Sequence, residues 1–394
     1  MDDLTRWRDQ FPILSRTVYM ISNSLGAMPR AAARSLAEYA ELWATRGVRA
    51  WEERWWELAG EVGNRVAAII GAPAGSVSMH ENVTTASAVA LSCLRPDGRR
   101  RRIVCTEMDF PSMVYLYRAQ AALGFELKIV PALDDLSVPA GRIADAIDDR
   151  TSVVALSHVL FRSSYIVDPA PVIERAHQAG AVVILDGYQS AGIIPVDVAT
   201  MGVDFFVGGC LKWLCGGPGN AFLYTAPWIK SERPPGLTGW VAHKRPFAFE
   251  IDDAALRDDG MGMMNGTPAI PAYYAALPGL EIVGQVGVDR IRAASVSMTR
   301  RLLELVDEHR FTSVASRDPG RLAGTVAVDV PDALQVSRAL KARDYVIDYR
   351  PGVGIRISPH FYNTMDEVEA IMRELARIVR ERDYESSAAG SLVT

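Results

Sequence analysis

Short apolar runs alternate with longer amphipathic stretches through the middle of the chain. Residues 181–187 (AVVILDG) begin with consecutive apolar positions, which is typical of a strand buried on both faces. Residues 169–180 instead carry apolar side chains at helical spacing and end at Gly180. Strands that alternate with helices in this way predict a largely parallel α/β sheet. The strands are predicted at residues 101–107, 126–132, 151–159, 181–187, 203–209 and 220–225, and a further helix at 111–124.

The pattern changes near residue 275. Residues 277–309 predict mainly helix with a glycine-rich interruption, and residues 325–383 predict a compact α+β unit. We therefore expect a large α/β domain followed by a smaller α+β C-terminal domain. The expected divisions are residues 1–40 as an N-terminal segment that packs with the small domain, 41–275 as the large domain, 276–385 as the small domain and 386–394 as a disordered tail.

Length and charge limit the classes of function. The chain has 394 residues, enough for about two or three domains. Its net charge of −5 is mild and mixed in sign, which argues against nucleic-acid or membrane binding as the main task. One basic run, residues 95–102, is expected to form an exposed turn. No stretch resembles a signal peptide or reaches membrane-spanning length, so a cytoplasmic location is expected.

The cysteines predict neither a disulfide framework nor a zinc site. No C-x-x-C pair occurs, and no histidine-rich segment accompanies the thiols, so we expect no metal. The four cysteines are Cys93, Cys105, Cys210 and Cys215.

The candidate catalytic residues lie at the carboxyl ends of the predicted strands, which is where open α/β sheets bind ligands. Lys212 lies among small, apolar and thiol residues, and a desolvated lysine has a lowered pKa and can act as a nucleophile. Asp186 follows a run of apolar residues and needs a partner if it is buried. The pair suits pyridoxal 5'-phosphate, since the lysine would form the imine and the carboxylate would keep the pyridine nitrogen protonated. A structural Asp–Lys salt bridge, or a lysine that extends its amine to solvent, would also fit.

An anion site is predicted where residues 78–94 pass from a loop into a helix. A helix N-terminus offers N–H groups and the positive end of the helix dipole, and Thr84 and Thr85 add hydroxyls. Alternatively, one of these threonines merely caps the helix.

Several segments in order resemble one enzyme family. They are YMISNSLGAMPR, DFPSMVY, LTGWVAHKRPFAFE, NGTPAIPAYYAA and YRPGVGIRISPHFYNT. With the Asp186 and Lys212 segments, they make the chain resemble a fold-type I pyridoxal-phosphate enzyme of the class V aminotransferase group, and within that group kynureninase most, over about residues 8–385. The resemblance implies a mainly parallel seven-stranded sheet in the large domain and a homodimer with shared active sites.

The resemblance also implies a role for each matching residue. Lys212 would be the Schiff-base lysine and Asp186 the partner of the pyridine nitrogen. A planar bidentate donor at Arg356 would bind the substrate α-carboxylate. Phe110 would stack on the cofactor ring, and the Val83 backbone and Thr84 would bind its phosphate. Trp240 and Thr267 would reach the phosphate from the second subunit. Asn23 and Ser24 would lie at the substrate edge.

Five positions depart from the kynureninase pattern around the cofactor. Gln189 stands where kynureninases have histidine and is similar to cysteine desulfurases, in which it bonds the phenolic oxygen of the cofactor. Leu211 replaces a tyrosine implicated in proton transfer during cleavage, and Tyr188 replaces a small residue and is a candidate to supply the acid. Loss of a general acid typically lowers the reaction rate about 10²–10⁴-fold, which argues against ordinary kynurenine hydrolysis. Met113 and Leu160 replace an aspartate and an asparagine.

We therefore expect an enzyme that acts on an L-amino acid through an external aldimine and a quinonoid. The main hypothesis is a C–S or C–C β-lyase, or a decarboxylating deaminase, of specialised metabolism such as antibiotic biosynthesis, with a cysteine-S-conjugate type of substrate. The alternatives are a kynureninase or 3-hydroxykynureninase, a class V aminotransferase or epimerase, and a non-catalytic relative that only binds a partner. Roles stay open for His158, Arg162, Tyr165, Cys210 and Cys215, with packing the simplest role for the two thiols.

Overall fold

A computed structural model describes residues 4–252 and 255–384. Its helices are α1 (Arg30–Arg46), α2 (Trp56–Ile69), α3 (Val83–Ser92), α4 (Pro111–Ala119), α5 (Ala140–Asp145), α6 (Ala170–Gln178), α7 (Val198–Met201), α8 (Pro227–Glu232), α9 (Ile270–Val286), α10 (Val288–Glu308), α11 (Ala333–Lys341) and α12 (Met365–Glu381). Its strands are β1 (Val18–Tyr19), β2 (Val77–His80), β3 (Arg102–Thr106), β4 (Glu126–Val130), β5 (Thr151–Ser157), β6 (Val182–Asp186), β7 (Phe205–Gly209), β8 (Ala221–Thr225), β9 (Val326–Val328), β10 (Tyr345–Val346), β11 (Asp348–Arg350) and β12 (Gly354–Ile357).

A seven-stranded sheet forms the centre of the larger part of the molecule. Its strand order is β2-β8-β7-β6-β5-β3-β4, with β3 to β7 mutually parallel along the sheet and β8 antiparallel to both of its neighbours. Every residue of β6, β7 and β8 is buried, because helices cover both faces and leave no solvated side. The predicted α/β class and the mainly parallel seven-stranded sheet are confirmed.

The edge strand β2 was not predicted from the apolar pattern. Residues 78–80 were expected to lie in a loop, but Val77–His80 pairs antiparallel with β8. The four residues are all buried, although two of them are polar: the Ser78 hydroxyl lies 2.9 Å from His80 Nε2. The four residues alternate between apolar and polar, but a run this short, followed directly by the polar start of α3, is too brief for periodicity to identify a strand.

A second hydrophobic core lies under the three-stranded sheet β11-β12-β9. It packs α10, α11 and α12 against that sheet and includes Met20 from the N-terminal segment. β1 pairs in parallel with β10, so the N-terminal segment is joined to this smaller part of the molecule. The expected domain boundaries at residues 40 and 275 fall inside α1 and α9 and stay a prediction. The predicted tail, residues 386–394, lies outside the described residues.

The glycine-rich interruption expected in residues 277–309 is a break between two helices. Gly287 adopts φ 84°, a left-handed conformation that few other residues accept, and there α9 ends and α10 begins. The exposed turn expected at residues 95–102 is present as well, closed by reciprocal backbone hydrogen bonds between Asp97 and Arg100.

Candidate active site

The carboxyl ends of β5, β6 and β7 bring the predicted chemical groups together. In the sheet register Ser157 lies beside Asp186, and Asp186 lies beside Val207. The chain leaves β7 at Gly209 and reaches Lys212 within a tight turn, in which Cys215 N donates to the Lys212 carbonyl at 3.1 Å. Neighbouring parallel strands thus place the acid and the amine at the same edge of the sheet.

The Lys212 amine is enclosed by aromatic rings and backbone. Its Nζ lies 4.6 Å from the centre of the Tyr188 ring and 5.9 Å from that of Phe110. A side chain at Gly26 would come within 2.1 Å of the Lys212 carbonyl oxygen, so the N-S-L-G segment can approach only because residue 26 is glycine. Burial lowers the pKa of Lys212 to about 7, although Asp186 acts in the opposite direction.

Asp186 ends β6 with one carboxylate oxygen bonded by the chain. Oδ1 accepts the Tyr188 backbone N–H at 2.8 Å. Burial raises the pKa of Asp186 to about 6, against the lowering effects of that hydrogen bond and of Lys212. Among the described residues no ion pair within 4.0 Å joins Asp186 to Lys212. The structure therefore does not form the Asp–Lys salt bridge that was the alternative interpretation of these two residues.

The Tyr188 ring packs between Lys212 and strand β7. A side chain at Gly209 would lie 2.6–2.7 Å from Cε2, Cζ and the hydroxyl oxygen of Tyr188, so the glycine makes room for the tyrosine. Burial raises the pKa of the Tyr188 phenol well above its usual value, so the phenol is protonated at neutral pH.

Asn23 and His158 present buried polar atoms without partners in the described part of the protein. Both atoms of the Asn23 amide and Nδ1 of His158 lack a hydrogen bond, although the two residues are only 2% and 5% exposed. Burial lowers the pKa of His158 to about 4, so its ring is neutral. These atoms are free to bond a ligand, although unpaired buried atoms also occur away from this site, as at Trp7 and Ser295, and do not by themselves define a binding site.

Gln189 is engaged by the protein at both ends of its amide. Nε2 donates to the Asn23 carbonyl at 2.9 Å, and Oε1 accepts the Trp213 indole N–H at 3.0 Å. The residue thereby joins the N-S-L-G segment to the turn that carries Lys212.

Helix α3 begins at Val83 beside this edge of the sheet. Its N-cap is Asn82, whose Oδ1 accepts the Thr85 N–H at 3.0 Å, so neither Thr84 nor Thr85 is the cap. The first N–H groups of a helix have no partner within it, which leaves those of Val83 and Thr84 for an anion.

Phe110 precedes α4 and is 43% exposed. Its ring meets Phe161 edge-on, with 5.3 Å between the ring centres. Met113 and Leu160, at two of the departing positions, are instead fully buried, and Met113 Sδ accepts the Ser87 hydroxyl at 3.4 Å. These two residues contribute packing where the resembling family has polar groups.

Arg356 lies on β12 and is 2% exposed. Nε donates to Asp348 Oδ1 at 2.8 Å and Nη2 donates to Asp348 Oδ2, so the two side chains form a bidentate pair. Nη1 donates to the Phe161 carbonyl at 2.5 Å, and the contact of Nη2 with Ser24 Oγ is long, at 3.4 Å. Ser24 itself donates to Asp348 Oδ2 at 2.7 Å.

Trp240 and Thr267 are not brought to Lys212 within this chain. Both are exposed, and neither has a hydrogen bond or ring contact with Lys212 in the described part of the chain. Trp240 instead joins an exposed aromatic cluster, with its ring centre 5.5 Å from Trp56, 5.9 Å from Phe247 and 6.4 Å from Phe249.

The thiols that flank Lys212 are buried. Burial raises the pKa of the Cys210 thiol to about 12 and that of Cys215 further, which leaves both protonated and unreactive at neutral pH. Within residues 4–252 and 255–384, no cluster of three or more His, Cys, Asp or Glu side chains could hold a metal ion. No helix in those ranges is long and apolar enough to cross a membrane.

A cavity of about 1000 Å³ opens elsewhere, between α2, the end of α9 and the amino-terminal side of β2. None of the predicted site residues lines it, and its acidic side chains include Glu57, Asp197 and Asp289. It has no lysine that could form an imine, so it is distinct from the site around Lys212.

Comparison with known proteins identifies the class of enzyme that this fold and site define. The sequence model of the aminotransferase class-V family matches residues 18–371, and the chain belongs to this family. It is therefore a pyridoxal-phosphate-dependent enzyme. Among curated relatives, it is 31% identical to kynureninase of Pseudomonas fluorescens, over 97% of this chain and 94% of that protein. It is also 29% identical to an uncharacterised aminotransferase of Bacillus subtilis, over 94% and 97% of the two chains.

Solved structures with the same fold include sulfur-amino-acid enzymes. The cysteine desulfurase of Thermococcus onnurineus superposes with a TM-score of 0.83 at 22% identity and covers 95% of this chain and 98% of that one. The cystine C–S lyase C-DES, in complex with its product cysteine persulfide, also gives 0.83, at 21% identity, and covers 93% and 99%. At these identities the likeness shows the fold alone.

Sequence analysis missed Asp348, which contacts two of the predicted substrate residues. Two signals could have found it. A carboxylate after the apolar pair Val346 and Ile347 is buried and needs a cation, and Arg350 and Arg356 follow within one strand–turn–strand. Phe161, whose carbonyl holds Arg356, gave no such signal, because a backbone acceptor leaves no trace in the sequence.

Proposed function

We propose that the protein acts on an L-amino acid in a kynureninase-like manner, cleaving a Cβ–S or Cβ–C bond or releasing the α-carboxylate with deamination. The substrate would be an amino acid of the cysteine-S-conjugate type, in specialised metabolism such as antibiotic biosynthesis and in the cytoplasm. The observation that carries the proposal is the buried Lys212 amine, with its lowered pKa, beside the carboxylate of Asp186 at the neighbouring strand end.

The described residues fit pyridoxal phosphate at four points. Lys212 offers an amine that is uncharged in part at neutral pH, and Asp186 offers a carboxylate oxygen beyond the one that Tyr188 holds. The first turn of α3 offers the N–H groups of Val83 and Thr84 to the phosphate. The half-exposed ring of Phe110 is placed to cover the cofactor. When bound, the cofactor would supply an electron-withdrawing ring that stabilises negative charge at the substrate Cα.

The chain's own groups would then bind the substrate and move protons. Arg356 would take the α-carboxylate, and the unpaired amide of Asn23 would bond the substrate or the cofactor phenolic oxygen, with Gln189 holding its backbone in place. Lys212, with its pKa near 7, can hold a proton at Nζ or release it at neutral pH. Tyr188 would donate a proton from its phenol, which burial keeps protonated.

Two residues near Lys212 bear on which bond of the substrate is cleaved. Leu211 and Gln189 replace the tyrosine and histidine of the kynureninase pattern, so the groups that would assist hydrolysis of kynurenine are absent from those two positions. This favours a lyase acting on an S-substituted cysteine. Hydrolysis of kynurenine or 3-hydroxykynurenine is the second candidate, and 31% identity to a kynureninase over nearly the whole chain favours it.

A homodimer would complete the site. Trp240 and Thr267 are exposed here and lie apart from Lys212, as expected if they reach the phosphate of a second copy. The exposed aromatic cluster around Trp240 is a surface that a partner copy would bury.

The test is the visible absorption spectrum of the protein purified with pyridoxal phosphate. L-kynurenine, S-ethyl-L-cysteine and L-alanine are added in turn, with Lys212→Ala as the control. We expect a band that the variant lacks, and release of a thiol with pyruvate from the S-substituted cysteine. Release of anthranilate from kynurenine would instead establish the second candidate. A band that is unchanged in Lys212→Ala would contradict the assigned lysine.

A further inference from the structure

The carboxylate of Asp348 lies at the centre of the group predicted to bind the substrate carboxylate. Asp348 is fully buried on β11, directly opposite Arg356 on β12. It accepts hydrogen bonds from Arg356 through both oxygens and from the Ser24 hydroxyl at 2.7 Å. Arg350, two residues along the same strand, places Nη2 at 3.3 Å from Oδ2. One acid therefore organises three polar side chains.

The hydrogen bonds of Arg356 determine which side of its guanidinium a ligand can reach. Asp348 covers the edge formed by Nε and Nη2. Nη1 has given one proton to the Phe161 carbonyl and keeps another, and the second Nη2 proton makes only the 3.4 Å contact with Ser24. Because Asp348 takes the Nε–Nη2 edge, a ligand carboxylate can reach Arg356 only at the far end of the guanidinium, where one Nη1 hydrogen and the weakly held Nη2 hydrogen are the donors left.

We propose that Asp348 is a positioning residue that fixes the plane of Arg356 and directs its Nη1–Nη2 edge to the substrate α-carboxylate. This role rests on the proposed function, since it assumes an amino-acid substrate at Lys212. Asp348 also compensates the positive charge of Arg350, which lies on the same face of the β11–β12 hairpin because residues two apart along a strand point the same way. Without that charge, the two guanidinium groups would repel each other and Arg356 would lose its orientation. Burial alone would raise the pKa of Asp348, but Arg356, Arg350 and the Ser24 hydroxyl together hold it below its usual value, so Asp348 is ionised at working pH.

The experiment compares two probes that differ only by a carboxylate. The visible band of the holoenzyme is titrated with L-alanine and with ethylamine, in the wild type and in Asp348→Asn, which keeps the side-chain volume. We expect the apparent Kd for L-alanine to rise about 10- to 100-fold in the variant and that for ethylamine to stay within a factor of two, because the change removes the charged partner that orients Arg356 and ethylamine has no carboxylate for Arg356 to bind.

The matched control is Asp307→Asn. Asp307 forms a bidentate pair with Arg317 at 2.8 and 3.0 Å on the exposed face of α10, so the same substitution is made far from the site. It should change neither Kd. If Asp348→Asn does not fold, Asp348→Glu keeps the charge but moves the carboxylate by one methylene group, and it should weaken the binding of L-alanine but not that of ethylamine.

A double variant tests whether Asp348 acts through Arg356. Arg356→Ala with Asp348→Asn should bind L-alanine no more weakly than Arg356→Ala alone. Equal losses for the two probes, or unchanged binding of L-alanine in Asp348→Asn, would overturn the positioning role and leave the proposed function intact. A wild-type holoenzyme that responds to neither probe would overturn the proposed function, and the positioning role with it.

Discussion

Two buried acid–base pairs lie in this molecule, and they are built in opposite ways. Asp348 and Arg356 form a bidentate pair, and the pKa of Asp348 is lowered. Asp186 is buried and Lys212 is half-buried, and no ion pair within 4.0 Å joins them in the described residues. Burial raises the pKa of that acid to about 6 and lowers that of the amine to about 7. In the first pair, Asp348 and Arg356, the two side chains are hydrogen-bonded to each other, and we call it the satisfied pair. In the second, Asp186 and Lys212, they are not, and we call it the reactive pair.

The difference shows which pair is available for chemistry. A charge that already has its hydrogen bonds gains little from a ligand, whereas two desolvated groups with pKa values near neutrality can exchange protons and bind a third group between them. The Asp348–Arg356 pair holds a donor in a fixed direction, which is a property of a binding support. The Asp186–Lys212 pair has the reactive character that imine chemistry requires.

The largest expected effect comes from breaking the satisfied pair. Asp348→Ala leaves the Arg356 guanidinium buried without its anion, and we expect the free energy of unfolding to fall by about 3–5 kcal/mol. Urea denaturation of the variant and the wild type measures this change. Replacing the partner as well, with Asp348→Ala and Arg356→Leu together, should recover part of the loss, because the fully buried guanidinium is then gone and only the half-buried Arg350 is left without its anion. A double variant less stable than the single one would mean that packing, and not charge, maintains this region.

The sequence predicted the reactive pair better than the satisfied one. Lys212 and Asp186 each follow a predicted buried strand, and the carboxyl ends of neighbouring parallel strands meet, so their proximity follows from the pattern. Asp348 depends on the register of the β11–β12 hairpin, which puts it opposite Arg356, and a short hairpin gives no periodicity from which register can be read. The fold class was predictable for the same reason as the reactive pair: long apolar runs give strands and their order along the chain.

Removing the amine of the reactive pair should stabilise the protein, whereas removing the acid of the satisfied pair destabilises it. We expect Lys212→Met to raise the free energy of unfolding of the cofactor-free protein by about 2 kcal/mol at pH 7. This is less than the ~5 kcal/mol that the full pKa shift would give, because Asp186 then loses its neighbouring cation. Denaturant unfolding after removal of the cofactor with hydroxylamine is the measurement.

The pH dependence of this gain follows from the direction of the pKa shift. The amine has a pKa lowered from 10.5 to about 7, so its contribution to stability is present above pH 10.5 and is lost as pH falls towards 7. The free energy of unfolding of Lys212→Met should therefore exceed that of the wild type most at and below pH 7, and the difference should shrink towards pH 10. Asp186 has a raised pKa, so its own contribution is present below about pH 4 and lost as pH rises through 6. A stabilising effect that does not change between pH 7 and 10 would show that the lysine is charged in the folded protein.

The smallest expected effect concerns the ring that separates Lys212 from strand β7. Gly209→Ala would place a methyl group 2.6 Å from the Tyr188 ring, and we expect a loss of roughly 1–2 kcal/mol in the free energy of unfolding from overpacking. Combining it with Tyr188→Ala should abolish the additional cost, because the three nearest atoms to the new methyl group all belong to the Tyr188 phenol. The visible band sharpens the test: if the displaced ring presses on Lys212, Gly209→Ala should shift the band in the holoenzyme, and the double variant should not show that shift. Additive losses of stability in the two single variants would mean that the strand, and not the ring, resists the methyl group.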